Sequence, residues 1–339
     1  MHTVNMEGRP SIVAIDAMGG DNAPAEIIKG AVASLEQTKE TKIILVGKQD
    51  IIEKELSSLT YNKSRLSIQN ATEIISTDEA AMSIKTKKDS SIVVGLNLLK
   101  EGKADSFISA GSTGALLAGA TLKIKRLPGI SRPALATLLP CAKGFTMLMD
   151  SGANVDCKPE YLLQFAILGS AYMEHVAGIK NPSVGLLNVG TEREKGNNFI
   201  KEAYPLLESS NLNFKGNVEA RDISNGICDV FVCDGFVGNV VLKTAEGYSK
   251  FIFDTIKKEL MASTLTKIGA VLSKPAFKNI KKSFDYSEVG GAPFLGLKSL
   301  VIKTHGSATA KDIIGSVKQS QRFNKENVIG KLEKILVEI

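Results

Sequence analysis

The sequence predicts an α/β fold in which helices cover both faces of a largely parallel sheet, an αβα sandwich with a protruding helical hairpin. Short, nearly continuous apolar runs alternate with stretches of helical periodicity, which is typical of parallel strands joined by crossover helices. The apolar runs lack apolar–polar alternation, as expected for strands that are buried on both faces. With 339 residues, 43% of them apolar and 23% charged, the chain has the composition of a globular protein.

One pattern occurs six times along the chain: an apolar run, a polar residue, a glycine-containing turn and a helical stretch. The runs are, in order, "SIVAID", "DSFIS", "TMLMD", "VGLLN", "DVFVCD" and "SLVIKTH". After the first run, Asp21 or Asn22 can cap the following helix, with Pro24 in its first turn.

The polar residues at the strand ends are the first candidates for a site, because ligands of parallel sheets bind beyond the carboxyl ends of the strands. Taken alone, each of these residues is equally consistent with a helix cap or the end of a turn. Six at equivalent places favour one shared crevice. They are Asp16, Ser109, Asp150, Asn188, Asp234 and His305.

The chain length fits one two-lobed catalytic unit, expected over residues 11–335 after a flexible tail over residues 1–10. The N-terminus has no apolar signal core, and no apolar run reaches the length of a membrane span. The four cysteines have no metal-binding spacing, and they are interpreted as buried thiols in a reducing cytoplasm. They are Cys141, Cys157, Cys228 and Cys233.

The positive charge of the chain is concentrated in one segment. Between Lys250 and Lys282, eight lysines stand against two acidic residues, a surplus that equals the net charge of +6. Apolar residues at helical spacing, interrupted near Pro275, predict a basic amphipathic helical pair over residues 246–285. We interpret one face as a dimer contact and the tip as a surface for an anionic membrane or an acidic protein. A solvated helical pair is the alternative, and the lysines are too frequent for a membrane span.

Several common site motifs are absent from the sequence. The patterns G-x-G-x-x-G, G-x-x-x-x-G-K-[ST] and H-E-x-x-H do not occur. The histidines are His2, His175 and His305, so that a Ser-His-Asp triad would depend on His305 alone. With 6% aromatic residues and no Trp, the chain also lacks the stacking residues of a nucleic-acid-binding protein. We therefore expect no metal site, no cofactor and no nucleic-acid partner.

Two glycine-containing turns are suited to an anion. In "SAGSTG", residues 109–114, the hydroxyls of Ser112 and Thr113 and the N–H groups of a helix start can donate to phosphate or carboxylate. In "TEREKGNN", Arg193 and Lys195 add positive charge to a second turn. Two ordinary helix starts are the equally weighted alternative.

Longer blocks of the sequence carry a family resemblance. The strings "IDAMGGDNAP", "SAGSTGALLAGA", "RPALATLLP", "GANVDCKPEYLLQFAILGS", "GLLNVGTEREKGN", "CDGFVGNVVLKTAEG" and "VIKTHGS" resemble the bacterial phosphate acyltransferases of phospholipid synthesis. The resemblance implies an enzyme that makes acyl phosphate from long-chain acyl-acyl-carrier-protein and inorganic phosphate, and so feeds glycerol-3-phosphate acylation. It implies a fold like those of the isocitrate and isopropylmalate dehydrogenases and of phosphotransacetylase. It also implies a homodimer at the inner face of the cell membrane, beside a possible membrane glycerol-3-phosphate acyltransferase.

The same resemblance implies roles for individual residues. Lys195 matches the lysine of the family's "KGN" block and Asn239 the asparagine of its "DGF-x-GN" block, and both are expected to act in catalysis or substrate positioning. His305 is expected to protonate the leaving thiolate or to orient phosphate, since imidazole can do either near neutral pH. Further matching residues are expected to bind substrate or phosphate. They are Asp16, Gly19, Gly20, Asp21, Ser112, Thr113, Gly114 and Arg132.

In the implied reaction phosphate is itself the nucleophile, which explains the absence of a convincing triad. Lys195 and the N–H groups of the "GSTG" turn would hold phosphate, and Asn239 would donate to the thioester oxygen as it becomes an oxyanion.

Three alternatives remain open from the residues. One is a phosphotransacetylase-like enzyme that uses acetyl-coenzyme A. Another is a metal-dependent hydroxyacid dehydrogenase with Asp16, Asp150 or Asp234 as Mg²⁺ ligands, although the proposed loops have few arginines for a multiply charged acid. The third is a non-catalytic phosphate-binding regulator of a membrane acyltransferase.

Overall fold

A computed structural model describes residues 9–284 and 290–337 of the chain. These residues form one eleven-stranded sheet with the strand order β3-β2-β1-β4-β11-β10-β5-β6-β9-β7-β8. The strands are β1 (Ser11–Asp16), β2 (Thr41–Gly47), β3 (Leu66–Asn70), β4 (Ser106–Ser109), β5 (Ala134–Cys141), β6 (Gly144–Met149), β7 (Ser183–Asn188), β8 (Asn213–Glu219), β9 (Val230–Val232), β10 (Ala292–Leu295) and β11 (Leu300–Lys303).

Helices connect most of these strands. They are α1 (Ala25–Gln37), α2 (Gln49–Leu56), α3 (Ser91–Lys100), α4 (Thr113–Lys123), α5 (Pro159–His175), α6 (Asn198–Glu208), α7 (Gly235–Leu260), α8 (Thr264–Leu272), α9 (Lys274–Phe284), α10 (Ala310–Lys325) and α11 (Val328–Val337). Short 3₁₀ turns lie at Lys63–Arg65, Ala81–Lys85 and Ala220–Ile223.

Helices lie on both faces of the sheet, because successive side chains of a strand point to opposite faces. In β1, Val13 and Ile15 pack in the core that contains Ile28 of α1 and Val317 of α10. Ala14 faces the other way and packs in a second core with residues of α3 and α4. The predicted α/β fold with a largely parallel sheet is confirmed, since seven of the ten neighbouring pairs are parallel.

The three antiparallel pairs lie together in the centre of the sheet and change where the strand ends point. β10 is antiparallel to both β11 and β5, and β5 is antiparallel to β6. Three reversals make β6, β9, β7 and β8 run opposite to β1, β4 and β11. The carboxyl ends of the two halves therefore point in opposite directions, so that the six residues expected in one shared crevice do not lie at one edge of the sheet.

The basic segment forms three helical elements where two helices were expected over residues 246–285. The second half of α7 continues into it, and α8 and α9 follow, with the capping serine Ser263 starting α8. Every residue of α8 except the half-buried Ala270 is exposed. In the described part of the chain, no helix is long and apolar enough to cross a membrane.

The predicted tail over residues 1–10 lies mostly outside the described residues, which begin at Arg9. The Arg9 guanidinium forms an ion pair of 2.5 Å with the Asp105 carboxylate. Residue 285, the end of the predicted helical pair, also lies outside the described residues.

Candidate functional site

Three loops meet at the carboxyl ends of β1, β4 and β11, and we call residues 16–21, 109–114 and 303–306 the loop junction. At its centre, Asp16 is almost fully buried and accepts hydrogen bonds from the Ser109 hydroxyl (2.7 Å) and the Met18 N–H (3.1 Å). Burial raises the pKa of the Asp16 carboxyl, and the hydrogen bond from Ser109 acts against this shift.

The two glycines after Asp16 allow the loops to approach each other. A Cβ atom at Gly19 would lie 2.7 Å from the Gly111 backbone nitrogen, which is closer than real Cβ contacts. Gly20 has a φ of +100°, and a Cβ there would lie 2.8 Å from the Gly306 carbonyl oxygen. The next residue, Asp21, donates its backbone N–H to that same oxygen at 2.7 Å. The "GGD" sequence thus allows the loop of residues 16–21 to pack against the loop of residues 303–306.

The "SAGSTG" turn leads into α4, as the sequence predicts. Ser112 caps the helix, and its hydroxyl oxygen accepts from the Ala115 N–H at 3.4 Å, so that its own O–H is free to donate elsewhere. Thr113 and Gly114 form the first turn of α4, with Thr113 half-buried and Gly114 exposed. An anion at this position would face unpaired N–H groups of the helix start.

His305 and Lys303 complete the loop junction. The exposed His305 accepts the Ser307 N–H at its Nδ1 atom (3.2 Å), which places the proton of the neutral ring on Nε2. Lys303 is largely buried, and its Nζ donates to the carbonyl oxygens of Ala110 (3.1 Å) and Thr304. Burial lowers the pKa of Lys303 to about 8. Sequence reasoning missed this lysine, although it lies in the quoted string "VIKTHGS".

A second group of predicted residues lies at the carboxyl ends of β6, β9 and β7. Asp150, after β6, is buried, and burial raises its pKa. Its two carboxylate oxygens accept from the N–H groups of Leu135, Gly152, Ala153 and Asn154 and from the Asn154 side-chain amide, at 2.7–3.1 Å. Both oxygens are therefore occupied by the surrounding backbone.

Asp234 follows β9, which pairs with β6, and Asn188 is the last residue of β7, which pairs with β9. Adjacent strands lie about 4.8 Å apart, so these ends are near neighbours. Asp234 caps α7 by accepting the Val237 N–H at 2.9 Å. Asn188 donates from Nδ2 to the Lys195 carbonyl oxygen (3.1 Å) and so holds the loop that carries the exposed Lys195. Both residues have the structural roles of cap and loop anchor.

Helix α7 connects the two groups. Its Gly238 packs directly against the Asp150 carbonyl oxygen, and the Asn239 side chain lies beside Gly152, where a Cβ would be 3.4 Å from Asn239 Oδ1. One helical turn later, Lys243 lies on the same face as Asn239. The charge of Lys243 lowers the pKa of Lys303, which places this turn of α7 close to the loop junction.

Arg132 lies at the edge of the second group, just before β5. It is exposed and lines a cavity of about 550 Å³. The other lining residues are Arg126, Gly129, Ile130, Ser131 and Tyr161. The Asn154 amide donates to the adjacent Pro133 carbonyl oxygen at 2.8 Å, which ties this loop to the Asp150 turn. Two guanidinium groups and a phenol make the cavity suited to an anionic group.

The geometry does not bring Asp16, Asp150 and Asp234 to one metal centre, because Asp16 lies in the other half of the sheet. Within residues 9–284 and 290–337, no three His, Cys, Asp or Glu side chains are placed to hold a metal ion. Two of the thiols are also poor nucleophiles: burial raises the pKa of Cys157 to about 12 and that of Cys228 to about 11.

Comparison with known sequences shows a match along nearly the whole chain. A family profile described as "Fatty acid synthesis protein" matches residues 12–331. A protein named phosphate acyltransferase from Clostridium botulinum (strain ATCC 19397 / Type A) is 51% identical over 323 residues, which cover 95% of this chain and 96% of that protein. One of the same name from Clostridium acetobutylicum is 49% identical over 329 residues, covering 97% and 99%.

Solved structures show the same arrangement at low identity. A phosphotransacetylase from Streptococcus pyogenes superposes with a TM-score of 0.63 at 20% identity, covering 94% of this chain and 95% of that one. A branched-chain phosphotransacylase from Enterococcus faecalis V583 has a TM-score of 0.55 at 13% identity, covering 92% and 98%. These matches show a shared fold, and the expected likeness to the isocitrate and isopropylmalate dehydrogenases stays a prediction.

Proposed function

This chain belongs to the fatty acid synthesis protein family, which includes proteins named phosphate acyltransferase, and we propose that it transfers a long acyl chain from acyl carrier protein to inorganic phosphate. The observation that carries the proposal is the 51% identity with a phosphate acyltransferase across 95% of the chain. Residues 11–335 act as one catalytic unit in this proposal, and the single sheet through both halves supports that unit.

The reaction requires no nucleophile from the protein. A phosphate oxygen attacks the thioester carbonyl carbon, the carbon–sulfur bond breaks, and the sulfur leaves as a thiolate. The proton of the phosphate hydroxyl is transferred to the thiolate, so that acyl phosphate and a free thiol are formed. The protein has to position the reactants and stabilise the developing charge on the carbonyl oxygen.

The two groups of residues divide these tasks. The loop junction binds phosphate, with Ser112 and the N–H groups of Thr113 and Gly114 as donors. His305 presents its Nε2–H to phosphate or to the departing thiolate. Asn239 of the second group donates to the oxyanion, a contact typically worth about 3 kcal/mol in the transition state. Lys195 is a substrate-positioning residue of this second group, since it lies in the other half from the "GSTG" turn.

The carrier and the membrane are assigned to the basic helices. Acyl carrier protein and anionic lipid are both negatively charged, and the lysines between Lys250 and Lys278 provide a complementary surface. Exposed apolar residues of α7, including Phe251 (65% exposed), form the proposed homodimer contact. Those of α8, including Leu265 (79%) and Leu272 (78%), form the tip that contacts the inner face of the cell membrane, beside a glycerol-3-phosphate acyltransferase that consumes the product.

A sedimentation assay tests the membrane contact. Vesicles with anionic lipid should retain the protein at low salt and release it as salt rises, because the charges of exposed lysines are screened. Leu265→Ser should weaken retention about tenfold, since one buried leucine side chain contributes about 1.5–3 kcal/mol. Leu122→Ser, at an exposed position on α4, is the matched control. Equal retention of both variants would remove the tip from the proposal.

The substrate is tested by turnover. The protein is mixed with phosphate and either long-chain acyl carrier protein or acetyl-coenzyme A, and acyl phosphate is trapped with hydroxylamine. Turnover with the carrier thioester alone is the expected result. Turnover only with acetyl-coenzyme A would instead place the protein with the phosphotransacetylases. Phosphate binding without turnover of either thioester would indicate a regulator.

A further inference from the structure

Lys303 is a largely buried charged side chain with no counter-ion in direct contact among the described residues. Its Nζ donates to the Ala110 carbonyl oxygen at 3.1 Å and to that of Thr304. Among the residues that the structure describes, no carboxylate forms an ion pair with it. An ammonium group has three N–H donors, so one donor remains. A buried charge in this state is costly unless a ligand completes its partners.

The charged groups around Lys303 come from three other elements. Asp16 at the end of β1 and Asp21 in the following loop raise its pKa, and Lys243 of α7 lowers it. Asp16 is engaged by the Ser109 hydroxyl and the Met18 N–H, so it does not neutralise the lysine by direct contact. His305 lies two residues further along the same loop.

The position of the ammonium points to one ligand. The Ala110 carbonyl that it contacts belongs to the "SAGSTG" turn, two residues before Ser112. We propose that Lys303 binds the inorganic phosphate substrate at this turn and supplies the positive charge that the turn itself lacks. This inference rests on the proposed function, and it assigns to Lys303 the charge-neutralising role that the sequence assigned to Lys195.

The proposal has a consequence for proton uptake. Burial holds the pKa of Lys303 at about 8, so that at pH 9 most of the free protein carries a neutral amine there. A phosphate anion favours the ammonium form. Binding at pH 9 must therefore take up a proton at Lys303, whereas at pH 7 this lysine is already protonated and any proton exchange comes from the phosphate itself. A lysine with only a structural role would show no such uptake.

Calorimetric titration with inorganic phosphate tests the inference directly, in buffers of different ionisation enthalpy at pH 7 and pH 9. Lys303→Met should weaken phosphate binding about 10- to 100-fold at pH 7, as expected for the loss of a charged hydrogen bond. Lys303→Arg should retain binding at both pH values, without the uptake seen in the unmodified protein, because arginine stays protonated. Lys298→Met, at an exposed lysine two residues before the start of β11, should match the unmodified protein.

Unchanged affinity of Lys303→Met, or uptake that persists in Lys303→Arg, would overturn the inference. So would failure of the unmodified protein to bind phosphate. If Lys303→Met does not fold, as judged by circular dichroism, the inference is tested by comparing proton uptake in Lys303→Arg with that in the unmodified protein. Phosphate binding that depends on Lys303, without acyl phosphate formation, would contradict the proposed function and leave this inference standing.

Discussion

Asp16 and Asp150 are two buried carboxylates at the carboxyl ends of strands, one in each half of the sheet. Burial raises the pKa of both. Asp150 accepts four backbone N–H groups and one side-chain amide from its own turn and the start of β5. Asp16 instead accepts hydrogen bonds from the Ser109 hydroxyl of a different strand (2.7 Å) and from one backbone N–H, that of Met18. It also lies near Lys303, which donates to two carbonyl oxygens.

The difference in hydrogen-bond partners indicates that Asp150 is a structural carboxylate, whereas Asp16 belongs to the candidate site. The oxygens of Asp150 order the turn at residues 150–154, against which Gly238 and Asn239 of α7 pack. In the proposed reaction, Asp150 therefore acts only by positioning Asn239. Asp16 connects two of the three loops that meet at Lys303, and its charge bears directly on the proposed phosphate site.

The largest effect on stability is expected at Asp150. Asp150→Ala leaves four backbone donors buried without acceptors, which should lower the free energy of unfolding by about 3–5 kcal/mol. Denaturant titration measures this loss, with the exposed Asp156→Ala of the same loop as control. A loss below about 1 kcal/mol would show that the hydrogen bonds of Asp150 do not stabilise the fold in the way that this comparison assumes.

A substitution of Asn239, which packs against the Asp150 turn, tests its proposed role as the oxyanion donor. Asn239→Ala should lower kcat about 100-fold, because the oxyanion loses one donor, while the KM values change little. The exposed Asn225→Ala is the control for a loss of stability alone. A rise in KM at unchanged kcat would reassign Asn239 to substrate binding.

Lys303→Met should stabilise the fold at pH 7, in contrast to Asp150→Ala. The folded-state pKa of about 8 lies below the usual 10.5, so the charged lysine opposes folding below pH 8. This cost fades as pH rises from 8 to 10.5. Discounted for partial exposure of the side chain, the gain at pH 7 is about 2 kcal/mol. Thermal melts from pH 7 to 10 measure it, and equal melting temperatures at every pH would contradict the buried charge.

The smallest effect is expected for Asp16→Asn. Because burial raises the folded-state pKa of Asp16, the native protein binds this proton more tightly than the unfolded chain does. Stability from this carboxyl is present at low pH and is lost as pH rises from its usual pKa through the raised one. Asparagine does not ionise, so the variant should equal or exceed the unmodified protein at pH 7, with a smaller advantage near pH 4. The contrary result is a variant that is less stable than the unmodified protein at pH 7, by more than at pH 4. It would show that the Asp16 charge stabilises the fold.

Local pattern was sufficient to predict β1, β4, β6, β7, β9 and β11 and the polar residues that end them. The predicted cap of α1 by Asp21 or Asn22 is wrong, because the helix begins at Ala25 with Pro24 at the cap position and no side-chain cap. Residue type was sufficient to predict a helix cap at Asp234 and a close approach of the backbone at the glycine pair after Asp16. Both features depend on the chemistry of the residue itself and of its neighbours in the sequence. Strand direction is different, because apolar periodicity is the same for a parallel and an antiparallel strand. The hairpin of β5 and β6 and the short β10 reverse the sheet, and thereby separate Asn188 and Asp150 from Asp16.

Lys303 was missed for a related reason. In "SLVIKTH" it reads as the polar end of an apolar run, next to a histidine that attracts more interest. Its burial and its contact with the Ala110 carbonyl arise only when β11 pairs with β4. A lysine at the inner end of a buried strand, within a block shared with a family, is the signal that would have found it.

The most direct test of the central claim, attack of phosphate on a carrier thioester without an acyl-enzyme, is a comparison of thiol release with and without phosphate. Long-chain acyl carrier protein is the substrate, hydroxylamine traps acyl phosphate, and intact-protein mass spectrometry reports acylation of the chain. Phosphate-dependent thiol release that equals the trapped product, with no acylated protein, is the predicted result. Thiol release without phosphate, accompanied by an acylated form of the protein, would contradict it.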